Sequence, residues 1–267
     1  MYKLAKRTTG PADVLASFNS ASLVLSLAIE DVRQRYRRSV LGLFWITITQ
    51  AVLIGTLAFV FGSVLQTDIY KLLPSLTVGL ILWTFISGTV QDGCMSFILA
   101  DQILRQLPIP LFVQIQRVVV RNLVILMHNA VLIPAVLALS GVGFSWENLA
   151  SFPGLLLLVI NLLWSALLAA IICTRFRDMP QIIANLLQVA FYLSPVIWLP
   201  ELLSSGHHRW LLELNPFYHL LEIVRAPLLG KLPAMESWIV SGVMAVLGWL
   251  LAIFTFSRYR HRIPYWL

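Results

Sequence analysis

Two uncharged stretches of this chain carry polar side chains at helical spacing. Within residues 39–67, Trp45, Thr49, Val52, Thr56, Phe59, Ser63 and Gln66 share one sector roughly 100° wide, with Ile46, Leu53, Leu57, Val60 and Val64 read as the opposite side. Within 179–200, Gln181, Asn185, Gln188 and Tyr192 recur at offsets of 4, 7 and 11. These residue types supply neither a strong base nor a nucleophile. Amides and hydroxyls exchange hydrogen bonds, while Trp and Tyr offer flat surfaces with a polar tip. Such a set binds a ligand rich in hydroxyls and C–H faces weakly at many points, which suits a long ligand that must keep moving. Small polar residues also serve as glue between membrane helices, and the sequence leaves both roles open.

Composition places the two stretches in a membrane. The chain has 267 residues, 59% hydrophobic and 12% charged, with a mean hydropathy of +0.84. Soluble domains carry about 25% charged residues, so this chain cannot cover a globular surface. Uncharged windows near the length needed to span occur at 39–67, 72–91, 122–146, 148–174, 179–200 and 237–257. The third is expected to begin near Leu111, tolerating Arg117 and Arg121 by snorkelling. The first twenty residues lack the apolar core of a cleavable signal, so the first span is expected to direct its own insertion. The reading is an all-α membrane protein, a single transmembrane domain over 1–267 with six spanning helices.

Charge sets the expected orientation. With the N-terminal segment inside, 15 of the 19 Lys and Arg residues fall on the inner side, so both ends are expected in the cytoplasm. Segment 201–236 is broken by Glu213, Pro216, Glu222 and Arg225, and is expected to form short outer helices that do not cross. Segment 22–38 precedes the first span. Val24, Leu25, Ala28, Ile29, Val32 and Tyr36 share one face, opposite Ser26, Glu30, Arg33, Gln34 and Arg37. That pattern predicts an amphipathic interfacial helix and argues against a nucleic-acid arm. Arg33, Arg35, Arg37 and Arg38 either anchor it to the inner leaflet or meet the pyrophosphate of a lipid headgroup.

Four stretches in order, "RYRRSVLGLFW", "ILADQILRQLPIPLFV", "RFRDMPQIIANLLQVAFYLSPVIW" and "LNPFYHLLEIVR", resemble the permeases of type-2 ABC transporters that export lipid-linked polysaccharides. O-antigen and capsule exporters are the nearest likeness; teichoic-acid, drug and lipid exporters share the outline. The resemblance implies a homodimer in the cytoplasmic membrane bound to two copies of a separate ATPase, which holds ATP and Mg. No cofactor is expected in this chain. The only Gly-Lys, Gly230-Lys231, is followed by Leu232 and lacks the first glycine of a phosphate-binding loop.

The resemblance also implies roles for residues. Phe97, Asp101, Leu104 and Arg105 belong to a cytoplasmic segment that would dock on the ATPase, or would otherwise be an interfacial turn ended by Pro108 and Pro110. Arg175, Arg177 and Asp178 read first as a local cap and ion pair, and second as a motor contact. From the residues themselves, Pro195 is expected to bend the fifth span near its outer end, as a gate hinge or simply where the helix leaves the membrane. Asn215, Pro216, Glu222 and Arg225 would form the outer lid of that gate.

Other chemistry finds little footing. Asp92 reads as a pairing residue and His128 as a hydrogen-bonded core histidine. Cys94, Cys173, His207, His208 and His219 lack metal-ligand spacing. A membrane enzyme acting on a lipid-linked sugar would need a convergent catalytic set, and a proton-coupled carrier would need midplane carboxylates. Neither pattern is present in the sequence.

Overall fold

A computed structural model describes residues 9–37, 41–42, 44–64, 69–107, 109–141, 143, 145–199 and 210–267, the side chains of Arg35, Tyr36, Lys71 and Arg105 excepted. Among the described residues the regular structure is entirely helical. In chain order the helices are α1 (Gly10–Phe18), α2 (Ala21–Tyr36), α3 (Phe44–Val64), α4 (Ile69–Leu99), α5 (Asp101–Gln106), α6 (Phe112–Ala130) and α7 (Leu132–Leu139). A 3-10 turn, Trp146–Ala150, leads into α8 (Ser151–Arg175) and α9 (Met179–Leu193). The short α10 (Trp210–Glu213) and α11 (Pro216–Leu228) precede α12 (Met235–Tyr259) and α13 (Ile263–Trp266).

The bundle is organised around α4. In its most apolar window 72% of residues are buried, against 17% for α3 and 28% for α12. It packs on α3, α6, α8, α9 and α11. Leu76, Ile81, Trp83 and Ile86 of α4 meet Ile54, Leu158 and Leu221 in one core. A second core near the chain ends joins Val14, Phe97, Phe112, Leu167, Phe256 and Ile263. Two glycines let helices close up: a Cβ on Gly93 would press on Ala166 of α8, and one on Gly154 would collide with the Ile223 carbonyl of α11.

Helix boundaries depart from the sequence reading where proline or pairing decides. Five helices or joined helices are long and apolar enough to span: Phe44–Val64, Leu72–Leu99, Phe112–Leu139, Trp146–Arg175 and Met235–Tyr259. The expected sixth, α9, has 15 residues and stops at Leu193 because Ser194, preceding Pro195, turns extended (ψ 145°). Pro195 therefore ends this helix instead of bending it. The third span breaks at Val131 because Pro134 cannot donate to Ala130 and its ring crowds that carbonyl. α4 continues past Asp92 to Leu99, further than charge alone suggested.

Pairing also corrects the snorkelling expected of Arg117 and Arg121. Arg117 donates to both oxygens of Asp31 on α2, through Nε at 2.8 Å and Nη2 at 2.5 Å. Arg121 bridges Asp31 (3.3 Å) and Asp92 (2.7 Å), and Asn122 Nδ2 donates to Asp92 at 2.8 Å. One charged chain thus ties α2, α6 and α4 together. Val24, Ala28 and Val32 of α2 are buried and the helix packs along α6, while Leu25 is exposed and Arg33 and Arg37 face outward.

Asp13 closes the same end of the bundle. Its carboxylate, 2% exposed, accepts from the backbone N–H of Leu111 and Phe112 at the start of α6, and from Arg260 Nη2 at 2.7 Å. A carboxylate at a helix N-terminus satisfies orphan donors and complements the helix dipole. Replacing Asp13 by Ala removes the carboxylate that faces the buried Arg260 and uncaps α6. The expected loss is about 3–5 kcal/mol, read as a lowered thermal unfolding midpoint in detergent; Asp13→Asn, which keeps an acceptor for the α6 N–H groups, is expected to cost less.

Candidate functional site

The first polar stripe lies on the face of α3 turned away from the rest of the chain. Trp45, Thr49, Val52, Thr56, Phe59 and Ser63 are all exposed, Phe59 at 71%. The buried face holds Gln50, Ile54 and Ala58, half a turn from the stripe, with Thr47 donating to the His128 carbonyl at 3.1 Å. Of the residues read as opposite the stripe, Leu53, Val60 and Val64 are instead its exposed flanks. Thr49 Oγ donates to Trp45 O and Ser63 Oγ to Val60 O, each at 2.8 Å. Those hydroxyls spend their O–H on carbonyls of their own helix and keep acceptor capacity. Gln66 lies outside the described residues.

On α9 the second stripe is likewise exposed, while Leu187 is buried and Ile183, Ala190 and Phe191 pack inward. Gln181 Nε2 donates to Asn185 Oδ1 at 3.1 Å, as the four-residue spacing allows. The Gln188 amide and Tyr192 hydroxyl make no hydrogen bond to other described residues, and Tyr192 is 59% exposed. An amide with two donors and no partner is costly against acyl chains. The stripe is therefore built to face water, a polar ligand or another protein surface.

Where α9 ends, the expected outer residues converge. Asn215 caps α11: its Oδ1 accepts from Phe217 N at 3.0 Å, and its Nδ2 donates to Ser194 Oγ at 2.9 Å and Leu193 O at 3.3 Å. Pro216 takes the first helical position, where its missing N–H costs nothing. Arg225, 2% exposed, donates Nη1 to the Pro195 carbonyl and Nη2 to Glu222 at 2.6 Å. At the other end of α11, Asn148 Nδ2 donates to the carbonyls of Pro227 and Leu228. His219 sits between Ser237 Oγ (3.0 Å) and Glu213 O (2.9 Å), spoken for by ordinary core hydrogen bonds. α11 is thus a buried plug held at both ends, packed on α4, α8 and α12.

The segment read as a docking element forms α5, at the same end as Asp13 and Arg260. Phe97 is fully buried in the core beneath it, which corrects its assignment as a contact residue: it supports α5 from below. Leu104 is half-buried on that core and Asp101 is half-buried with a partner. Leu99, Gln102, Gln106 and Leu107 make the exposed surface. Arg38 lies outside the described residues, as do the side chains of Arg35 and Arg105. Arg177 donates to the Trp266 carbonyl at 3.2 Å, and Asp178 is exposed at the start of α9 with no ion pair among the described residues. Sequence reasoning missed Gln50, Asp13, Asp31 and Asn148. A lone polar residue in an apolar run was the only available signal for each.

This layout of an apolar helical bundle can be compared with known proteins. The model of the ABC-2 type transporter family matches residues 22–229. The chain belongs to that family. The O-antigen export system permease protein RfbA of Myxococcus xanthus is 29% identical over 244 residues, covering 88% of this chain and 92% of that protein. A namesake from Klebsiella pneumoniae is 22% identical over 247 residues, covering 89% and 93%. The ABC-2 match takes in α2 to α11, so both stripes and the plug fall inside the family's shared region.

Substituting Arg225 by Ala leaves the Glu222 carboxylate and the Pro195 carbonyl without their buried donor. The expected cost is about 3–5 kcal/mol, measured as a drop in the thermal midpoint of the purified protein. Glu222→Gln, which keeps an acceptor for Arg225, is expected to cost less.

Proposed function

We propose that this chain is the permease subunit of an ATP-driven exporter that carries lipid-linked polysaccharide of the O-antigen class across the cytoplasmic membrane. The observation carrying this reading is end-to-end similarity to O-antigen export permeases, together with the family match. Two copies of the chain pair so that the stripes on α3 and α9 line a wet, uncharged corridor. Support for that arrangement is their orientation: both stripes are exposed and point away from the chain's own core.

Sugars present hydroxyls on their edges and C–H patches on their faces. Thr56, Gln181, Asn185 and Gln188 would exchange hydrogen bonds with the first, and Trp45, Phe59 and Tyr192 would slide along the second. Neutral groups suit a moving polymer because each contact is weak and each is replaced by the next. The plug of α11, fastened to the end of α9 by Asn215 and Arg225, is the proposed outer gate.

Energy comes from a separate ATPase, two copies per permease dimer, seated beneath α5. Its cytoplasmic position is supported by the charges at that end: Arg33, Arg37, Arg175, Arg177, Arg258 and Arg262 are all exposed there. Arg33 and Arg37, on the outer face of α2, would meet the diphosphate of the lipid-linked cargo.

The test replaces Thr56 and Gln188 by Leu, singly and together, in cells that depend on this chain for surface polysaccharide. Export is expected to fall roughly tenfold for each lost polar contact of about 1.4 kcal/mol, with the permease dimer and its ATPase association unchanged. Undiminished export by the double variant would remove the corridor. Separately, Leu107→Asp on the exposed end of α5 is expected to reduce ATPase co-purification without lowering the permease's thermal midpoint.

A further inference from the structure

The arginines at the ends of α8 and α12 are organised in a way that charge bias alone does not require. Rings and guanidinium groups form one continuous run, from Phe176 through Arg175, Trp266 and Tyr259 to Arg262. Arg175 lies over the ring of Phe176 at 5.8 Å and over Trp266 at 5.5 Å. Trp266 packs against Tyr259 at 5.8 Å between centroids, and Arg262 sits 6.0 Å over Tyr259. Arg177 donates to the Trp266 carbonyl at 3.2 Å, which fixes that ring's backbone. Three separate segments, 175–177, 259–262 and 266, therefore build one surface.

A guanidinium stacked on a ring is held by its face and keeps its in-plane N–H donors free. Those donors match the paired oxygens of a phosphate diester. Arg175, Arg177 and Arg262 are exposed and have no ion pair among the described residues, so no carboxylate competes for them. The contrast with the same end of the bundle is sharp. Arg117, Arg121 and Arg260 are turned inward and bound to Asp31, Asp92 and Asp13. The arginines sit where the long apolar runs of α8 and α12 end, with Phe176 59% and Tyr265 72% exposed beside them. Aromatic side chains favour the membrane–water interface.

We propose that this stacked run is a binding site for an anionic glycerophospholipid, with Arg175 and Arg262 on phosphate oxygens and Arg177 holding Trp266 in place. A lipid with two phosphate groups, of the cardiolipin class, fits the two arms of the run, one on α8 and one beyond α12. Basic sites at the inner membrane surface select such headgroups by charge. A lipid fastened across the ends of α8 and α12 staples those helices beside α5.

The test uses the full chain purified in detergent with cardiolipin or phosphatidylethanolamine added back, and lipid retention read by native mass spectrometry. Cardiolipin is expected to be retained preferentially. The pair Arg175→Gln and Arg262→Gln is expected to lower that retention about twenty- to thirtyfold, at about fivefold for each arginine. The pair Arg175→Lys and Arg262→Lys keeps charge but weakens stacking and the two-pronged geometry, and is expected to fall between. Circular dichroism and thermal unfolding without added lipid check folding. Equal retention of both lipids, or unchanged cardiolipin retention in a folded Gln pair, overturns the proposal. Loss of ATPase co-purification with lipid retention intact would also overturn it, assigning the surface to a protein partner instead.

Discussion

A polar atom within hydrocarbon has no water to turn to, and this constraint organises the molecule. α4 answers it by being enclosed on nearly every side, and its inner end places Asp92 against Arg121 and Asn122. α6 answers it by borrowing the Asp13 carboxylate for the first N–H groups of its chain. At the far end Arg225 finds a carbonyl and a carboxylate in a site with almost no solvent access. Every buried charge described here is matched by a partner from another helix or from one turn away. The polar amide of Gln188, by contrast, lies on an exposed face of α9.

The two cores divide the labour. The core around Trp83 and Leu221 joins α4 to the plug, with Trp83 touching both Phe191 of α9 and Phe217 of α11 at 5.6 and 5.4 Å between centroids. The core around Phe97 and Phe256 lies under α5 and the arginine-rich end. One helix, α4, contributes to both, with Trp83 in the first core and Phe97 in the second.

Much of this was legible in the sequence because hydrocarbon demands long uncharged windows and the polar positions within them kept a helical period. The five long spans and the polar periods of α3 and α9 were read that way, while the window at 179–200 holds only a 15-residue helix. Boundaries set by single residues were harder. Pro134 and Pro195 mark breaks, yet whether a proline bends a helix or ends it depends on what receives the freed carbonyls. The side of α3 opposite the stripe was misplaced because hydrophobicity does not separate an exposed Val60 or Val64 from a core Ile54: all are apolar. Pairings such as Asp13 with Arg260, 247 positions apart, leave no periodic trace at all.

The brevity of α9 has a bearing on the surrounding bilayer. Fifteen residues rise only about 22 Å, while the hydrocarbon layer is about 30 Å thick. If acyl chains lay along the exposed side of this helix, the bilayer would have to pinch by several ångströms there, at a fraction of a kcal/mol for each ångström. A protein surface or a column of water on that side removes the elastic penalty. The helix is shorter than each of the five long apolar spans, and its exposed side carries Ile182, Leu186 and Val189 beside the polar row.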